Sequence, residues 1–81
     1  MTHDEIKTLI LGELHRIAPE VALDQVDPAG ELREQVDLDS MDILNWMIAI
    51  HDRTGVEIPE ADYARMATIN ECVAYLSKRL K

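Results

Sequence analysis

The most apolar stretch of this 81-residue chain lies in residues 39–55, which read DSMDILNWMIAIHDRTG. Asp39 and Asp42 suit the start of a helix, because carboxylates there accept backbone N–H groups and face the positive end of the helix dipole. Gly55 is a typical stop, since glycine readily adopts the left-handed conformation that ends many helices. The stretch therefore predicts a helix that begins at Asp39 and ends at Gly55.

Placed at about 100° per residue, the apolar side chains of this helix fall into two groups. The group that predicts a core stripe is Ile43, Trp46, Met47 and Ile50. The group on another sector, beside Ser40, is Met41, Leu44 and Ile48. Periodicity leaves two interpretations of the second group open: burial under a loop, or exposure as a protein docking patch with an acidic rim. The residues of that rim are Asp37, Asp39, Asp42 and Asp52.

Capping signals and apolar spacing predict two further long helices. Thr2 and Glu5 have the spacing of a capping box, so the first helix begins there, and Pro19 limits it. Its apolar stripe is Ile6, Leu9, Ile10, Leu14 and Ile17, and its charged side is Lys7, Glu13 and Arg16. Thr68 and Glu71 predict another capping box and a last helix. Its core residues are Ile69, Cys72, Val73, Leu76 and Leu80, and the cations at its end are Lys78, Arg79 and Lys81.

The connections are expected to be less regular. Residues 18–38 lose the helical period and predict a long loop, held in place by scattered apolar residues, with a short helical turn at 29–34. Those apolar residues are Val21, Leu23, Val26 and Leu32. Residues 57–59 predict an extended link, and residues 60–66 predict a brief helix.

No stretch shows the alternation of a β-strand, so we predict an all-α fold. Three longer helices and one short helix form a small four-helix bundle, with the long loop between the first two long helices. The length is that of a single domain, residues 1–81. Trp46 is expected in the core, and Trp46, Met47 and Ile50 would lie near any pocket that opens in the bundle.

Composition and charge exclude several classes of protein. The chain is 47% hydrophobic and 30% charged, which is enough apolar mass for a folded core. Sixteen acidic residues against eight basic ones give a net charge of −8, which argues against nucleic acid as a partner and favours basic protein surfaces. A core this small leaves little stability for an enclosed catalytic cavity, so a binding or carrier module is expected and not an enzyme.

The sequence also limits which cellular compartment and which metal sites can be expected. One cysteine permits no internal disulfide, no apolar run approaches the roughly 18 residues of a membrane span, and no signal peptide follows Met1, so we expect a cytoplasmic protein. The aspartates around Ser40 lack the glycine and glutamate of a calcium loop. His3, His15 and His51 are far apart and are expected on the surface, so no metal site is predicted. Cys72 is expected as a buried small hydrophobe.

Asp39-Ser40-Met41-Asp42, preceded by Leu38 and opening an apolar helix, resembles the modification motif of the acyl carrier proteins. Glu57-Ile58-Pro59 follows at the expected distance, then a short acidic helix, then Thr68-Ile69 at the start of the last helix. The resemblance covers residues 3–80. It implies that Ser40 is joined by a phosphodiester to 4'-phosphopantetheine, whose terminal thiol carries acyl groups as thioesters.

The resemblance also implies partners. They are a phosphopantetheinyl transferase, an acyl-loading ligase or acyltransferase, and a ketosynthase or other acyl-processing enzymes with basic docking surfaces. The residues expected to recognise them are Asp39, Met41, Asp42, Leu44, Ile48 and Asp52. No residue of the chain is expected to be catalytic, because the modifying enzyme activates the Ser40 hydroxyl. We expect a monomer, since a carrier presents Ser40 to several enzymes in turn.

Four residues depart from the pattern of the family. Asn45, His51 and Arg53 stand where carboxylates are usual, and Thr54 replaces a large aromatic residue. Trp46 adds bulk earlier in the same helix. These departures favour a specialised carrier that serves one pathway over the housekeeping carrier of fatty acid synthesis.

Two alternatives stay open at the level of sequence. One is a carrier of aminoacyl or peptidyl groups, as in peptide synthesis or D-alanyl transfer. The other is an unmodified helical adaptor that binds a protein through Met41, Leu44 and Ile48. An isolated Asp-Ser pair is often only a helix cap, so the adaptor interpretation rests on ordinary capping.

Overall fold

The computed structural model describes residues 1–80, and helices are its regular secondary structure. The elements in chain order are α1 (His3–Ile17), a 3₁₀ turn (Leu23–Gln25), α2 (Leu32–Gln35), α3 (Ser40–Thr54), a 3₁₀ helix (Glu60–Met66) and α4 (Ile69–Arg79). The predicted all-α bundle of three longer helices and one short one is confirmed, and residues 1–80 contain no strand. Lys81, predicted among the cations at the end of α4, lies outside the described residues.

The predicted capping box is confirmed at α1, whereas at α4 only one of its two hydrogen bonds forms. At α1 the Glu5 amide donates to Thr2 Oγ1 at 3.1 Å and the Thr2 amide donates to Glu5 Oε1 at 2.8 Å. The bond from the Thr2 amide holds the pKa of Glu5 below its ordinary value. At α4 the Glu71 amide donates to Thr68 Oγ1 at 3.0 Å, but the Glu71 side chain does not return the bond. The prediction of a complete box at α4 was therefore wrong.

The core lies where α1, α3 and α4 meet. The side chains fully buried there include Ile6, Ile10, Leu14, Trp46, Ile50, Ile69, Cys72 and Leu76. The predicted stripes are confirmed, although Leu9, Ile17, Ile43 and Leu80 are only partly buried. Tyr75 was not predicted as a core residue, but it is buried in the core, at 6% exposure. Its hydroxyl donates to Asp62 Oδ2 at 2.6 Å, which ties α4 to the 3₁₀ helix Glu60–Met66.

Trp46 links α3 to α1 by a buried hydrogen bond. Its side chain is 0% exposed, and its Nε1 donates to the Ile10 carbonyl oxygen at 2.9 Å. The indole N–H of a buried tryptophan needs such a partner, because an unpaired polar group costs free energy in the core. The prediction that Trp46 belongs to the core is confirmed.

Glu13 corrects the prediction for α1. The sequence placed it on the charged outer side, whereas the residue is 5% exposed at the seam between α1 and α3. Its Oε1 accepts from Arg53 Nη1 at 3.0 Å, and its Oε2 lies 3.5 Å from Arg16 Nη1. A carboxylate is stable at such a position only when it is paired, and the two guanidinium groups supply the pairing.

The long loop 18–38 is ordered, as predicted, but its helical turn begins later than expected. The Gly30 amide donates to the Asp27 carbonyl at 3.0 Å, so residues 27–30 form a turn and α2 covers Leu32–Gln35 instead of 29–34. The 3₁₀ turn Leu23–Gln25 was not predicted. Leu32 is 1% exposed, and its amide donates to the Ala67 carbonyl at 2.9 Å. The other predicted anchors, Val21, Leu23 and Val26, are partly buried.

Cys72 is buried as predicted. Its Sγ donates to the Met66 carbonyl oxygen at 3.4 Å, and burial raises the pKa of the thiol to about 12. The thiol is therefore protonated and unreactive in the folded protein at neutral pH. Among residues 1–80, no helix is both long enough and apolar enough to cross a membrane.

Replacing Trp46 by Phe should lower the free energy of unfolding by about 1–3 kcal/mol, because the bond to Ile10 is lost and the core loses volume. Urea unfolding followed by circular dichroism measures the change. Met41→Leu is the control, since Met41 is 61% exposed on the same helix, and it should change stability little. Equal stability of Trp46→Phe and the wild type would show that the buried bond does not hold α3.

Candidate functional site

Ser40 is the first residue of α3, and its position is fixed by a reciprocal cap. The Asp42 amide donates to Asp39 Oδ1 at 2.8 Å, and the Asp39 amide donates to Asp42 Oδ2 at 3.3 Å. Both carboxylates are thereby engaged with the backbone on either side of Ser40. Gly55 ends the helix in the left-handed region at φ 73°, as predicted.

The Ser40 side chain is exposed, and within residues 1–80 its hydroxyl makes no side-chain hydrogen bond. A nucleophilic serine of an enzyme is paired with a base, which Ser40 lacks in the described part of the chain. The hydroxyl can instead accept a group from another protein. A phosphate attached to it would lie near the positive end of the α3 dipole, where backbone N–H groups favour negative charge.

Ser40 lies at the edge of a cleft of about 600 Å³ between α3 and the 3₁₀ helix Glu60–Met66. The apolar residues that line the cleft include Leu32, Met41, Ile43, Leu44, Met47, Tyr63 and Met66. The charged residues in its lining are Glu31, Arg33 and Glu60. A volume of this size is typical of small-molecule sites. The residues beside Ser40 can therefore accommodate a group that extends from the serine, which is the fit that a long covalent arm requires.

Of the three residues expected near a pocket in the bundle, Met47 lines this cleft. Trp46 and Ile50 do not line the cleft, and both side chains are fully buried in the core. Sequence reasoning missed the other wall, which comes from α2 and the 3₁₀ helix. The three-residue spacing of Tyr63 and Met66 is the signal that could have indicated an apolar side to that short helix.

The second apolar group of α3 is exposed, which decides between the two interpretations of the sequence. Met41 is 61% exposed, Ile48 is 49% exposed and Leu44 is 37% exposed. We call these three residues the α3 stripe. The long loop does not cover them, and their role in recognition stays a prediction. Of the acidic rim, Asp37, Asp39 and Asp52 are exposed and Asp42 is half-buried.

Three of the four residues at which α3 departs from the pattern of the family that it resembles have structural roles. Arg53 pairs with Glu13 on α1. The Thr54 hydroxyl donates to the Ile50 carbonyl at 2.8 Å and accepts from the Val56 amide at 3.2 Å. His51 Nδ1 lies 2.8 Å from the Val56 carbonyl oxygen. These contacts hold the end of α3 and the link that follows it.

The histidine prediction was right for two of the three residues. His3 and His15 are exposed, whereas His51 is half-buried through its contact with Val56. No group of three or more metal-ligating side chains comes together within residues 1–80.

Comparison with known proteins gives the family of the chain. A family model described as the phosphopantetheine attachment site matches residues 4–76. The acyl carrier protein of Helicobacter hepaticus is 24% identical over 75 residues, which cover 93% of this chain and 92% of that protein. The acyl carrier protein of Campylobacter fetus is 27% identical over 73 residues, or 90% of this chain and 88% of that protein.

A specialised relative also matches. The meromycolate extension acyl carrier protein of Mycolicibacterium aurum is 30% identical over 69 residues, which cover 85% of this chain and 67% of that protein. The family domain is the site of covalent 4'-phosphopantetheine attachment, and its members act as carriers and are modified by phosphopantetheinyl transferases. The match over residues 4–76 shows that this chain belongs to the phosphopantetheine-binding family of acyl carrier proteins, which are not enzymes.

Proposed function

We propose that this chain carries an acyl group as a thioester on a 4'-phosphopantetheine arm attached to Ser40, and delivers it to partner enzymes. The observation that carries the proposal is the placement of Ser40. Its exposed hydroxyl lies on the first turn of α3, between two capping carboxylates, at the edge of an apolar cleft. The arm supplies the thiol on which the acyl group is held.

The residues of this chain contribute position and not acid-base chemistry. The cap formed by Asp39 and Asp42 fixes the backbone on both sides of Ser40, so the hydroxyl is presented in one place to each enzyme. The transferase supplies the base that takes the hydroxyl proton. A tethered acyl group then reaches each partner's active site at high effective concentration, which is the contribution of a carrier.

The partners follow from the same proposal. They are a phosphopantetheinyl transferase, an acyl-loading ligase or acyltransferase, and a ketosynthase or other acyl-processing enzymes. The net charge of −8 and the exposed Asp37, Asp39 and Asp52 favour basic groups on those enzymes near Ser40. We further propose one acyl-carrier-type domain over residues 1–81, acting as a monomer in the cytoplasm.

The pathway is proposed to be a specialised branch of fatty acid, polyketide or related synthesis. Asn45 and Arg53 leave α3 with fewer carboxylates than is usual in the family. One relative at 30% identity is named for meromycolate extension. Both observations favour a dedicated carrier over a housekeeping one.

Incubation of the apo protein with a promiscuous phosphopantetheinyl transferase and coenzyme A should add one phosphopantetheine per chain. Ser40→Ala should gain nothing. Ser77→Ala is the matched control, because Ser77 is the only other serine of the chain, and it should be modified like the wild type. Intact mass measures the gain. Because the Cys72 thiol is buried, one newly reactive thiol in the native protein should accompany the mass change. Modification of Ser40→Ala would contradict the proposed site.

A generic bacterial fatty acid synthase should use the modified protein poorly. We expect malonyl loading and elongation to run about tenfold or more below the rate with a housekeeping acyl carrier protein, a difference of about 1.4 kcal/mol in transition-state binding. Rates are measured with both carriers at the same concentration. Equal rates would rule out the specialised assignment and leave the carrier function intact.

A further inference from the structure

We propose that Arg33 is a positioning residue for the phosphopantetheine arm, and that its guanidinium group binds the phosphodiester that joins the arm to Ser40. The inference rests on the proposed function and goes beyond it, because it assigns a residue of α2 to the arm. It concerns the cleft beside Ser40 and not the exposed face of α3. The contact holds the first atoms of the arm at the cleft.

Arg33 and Ser40 belong to the same cleft. Arg33 comes from α2 and Ser40 from the start of α3, and both line the cleft of about 600 Å³. Arg33 is the one cationic residue of that lining, whereas Glu31 and Glu60 are its carboxylates. Two carboxylates against one guanidinium leave the lining acidic, so a phosphodiester on Ser40 adds negative charge to an acidic site. Besides the backbone N–H groups at the start of α3, Arg33 is the group of the lining that can offset this charge.

The Arg33 side chain is available for a ligand. It is exposed, and within residues 1–80 it forms no ion pair and no side-chain hydrogen bond. Arg16, Arg53 and Arg79, in contrast, each have a carboxylate oxygen within 4.0 Å. A guanidinium group presents several N–H donors in one plane, and this geometry suits two oxygens of a phosphate. Arg33 therefore has the chemistry to bind a phosphodiester and no competing partner in the described part of the chain.

Contacts on either side of Arg33 fix the backbone of α2. Leu32 is 1% exposed, and its amide donates to the Ala67 carbonyl oxygen at 2.9 Å. The Gln35 side chain is bonded to Asp27: its Oε1 accepts from the Asp27 amide at 2.7 Å, and its Nε2 donates to the Asp27 carbonyl oxygen at 3.0 Å. The backbone of Arg33 is therefore already in place at the cleft, and only its side chain loses freedom when it binds.

Covalent attachment makes the contact intramolecular. The phosphodiester is bonded directly to the Ser40 oxygen, so it stays at the cleft whatever the rest of the arm does. An anion tethered at the same cleft as a cation meets it at high effective concentration, although a single exposed arginine would bind a free phosphate weakly. The contact exists in the modified protein and not in the apo protein. The difference between these two forms is therefore the quantity to measure.

Arg33→Gln tests the contact, and Arg65→Gln is its matched control. Both variants remove one exposed positive charge, but Arg65 lies on the 3₁₀ helix Glu60–Met66 and is not part of the cleft lining. The wild type and each variant are compared as apo protein and as protein modified to completion by co-expression with a phosphopantetheinyl transferase. Intact mass confirms the modification. The measurements are the ³¹P NMR chemical shift of the phosphodiester and the change in Tm on modification.

The ³¹P signal of modified Arg33→Gln should differ from that of the modified wild type. Modification should leave the Tm of Arg33→Gln about 2–4 °C lower, relative to its apo form, than it leaves the Tm of the wild type, which is the size expected for one exposed ion pair. Arg33→Lys should restore part of this difference, because it keeps the charge but not the planar donors. Raising NaCl to about 0.5 M should move the wild-type ³¹P signal towards that of Arg33→Gln, because salt screens an exposed pair.

Arg65→Gln should match the wild type in the ³¹P signal and in the change in Tm on modification. If Arg33→Gln also matches the wild type in both, Arg33 does not bind the phosphodiester, and the carrier function stands without this inference. If the wild type gains no phosphopantetheine, attachment at Ser40 fails, and the inference fails with it.

Discussion

The hydrogen bond from Trp46 Nε1 to the Ile10 carbonyl oxygen, 2.9 Å long and fully buried, sets the rotation of α3 about its own axis. Once the indole faces α1, positions 47 and 50 turn inward and positions 41, 44 and 48 turn to solvent. The same rotation places the start of α3 beside the cleft wall formed by the 3₁₀ helix Glu60–Met66. Both the position of Ser40 and the exposure of the α3 stripe thus depend on one buried side chain.

The two ends of α3 are held by different interactions. At its start, the carboxylates of Asp39 and Asp42 accept backbone N–H groups in a reciprocal cap, which fixes the position of Ser40. Toward its end, Arg53 pairs with the buried Glu13 of α1. Thr54 and Gly55 then close the helix. Arg53 and Thr54, two of the residues that depart from the family pattern, therefore stabilise the end of α3.

Much of the fold and part of the site followed from local signals. The capping residues Thr2 and Asp39, the stop at Gly55 and the core position of Trp46 were predictable, because helix termini and apolar periodicity are encoded within a few residues. The burial of Glu13 was not predictable, because it depends on Arg53, which lies forty positions away in sequence. The cleft was missed for a similar reason: one of its walls comes from α2 and the 3₁₀ helix, whose position is set by tertiary contacts such as the bond from Leu32 to Ala67. Periodicity also could not decide the exposure of Met41, Leu44 and Ile48, because it shows which residues share a face but not what covers that face.

Attachment of the arm to Ser40 is the central claim, and locating the arm in the sequence tests it most directly. Cleavage after arginine releases residues 34–53, EQVDLDSMDILNWMIAIHDR, in which Ser40 is the only hydroxyl-bearing residue. The protein is co-expressed with a phosphopantetheinyl transferase, digested with trypsin and fragmented in a mass spectrometer. Phosphopantetheine on this peptide, with fragment ions that place it on Ser40, is the predicted result. Phosphopantetheine on a peptide that contains Ser77 or a threonine, with residues 34–53 unmodified, would contradict the account.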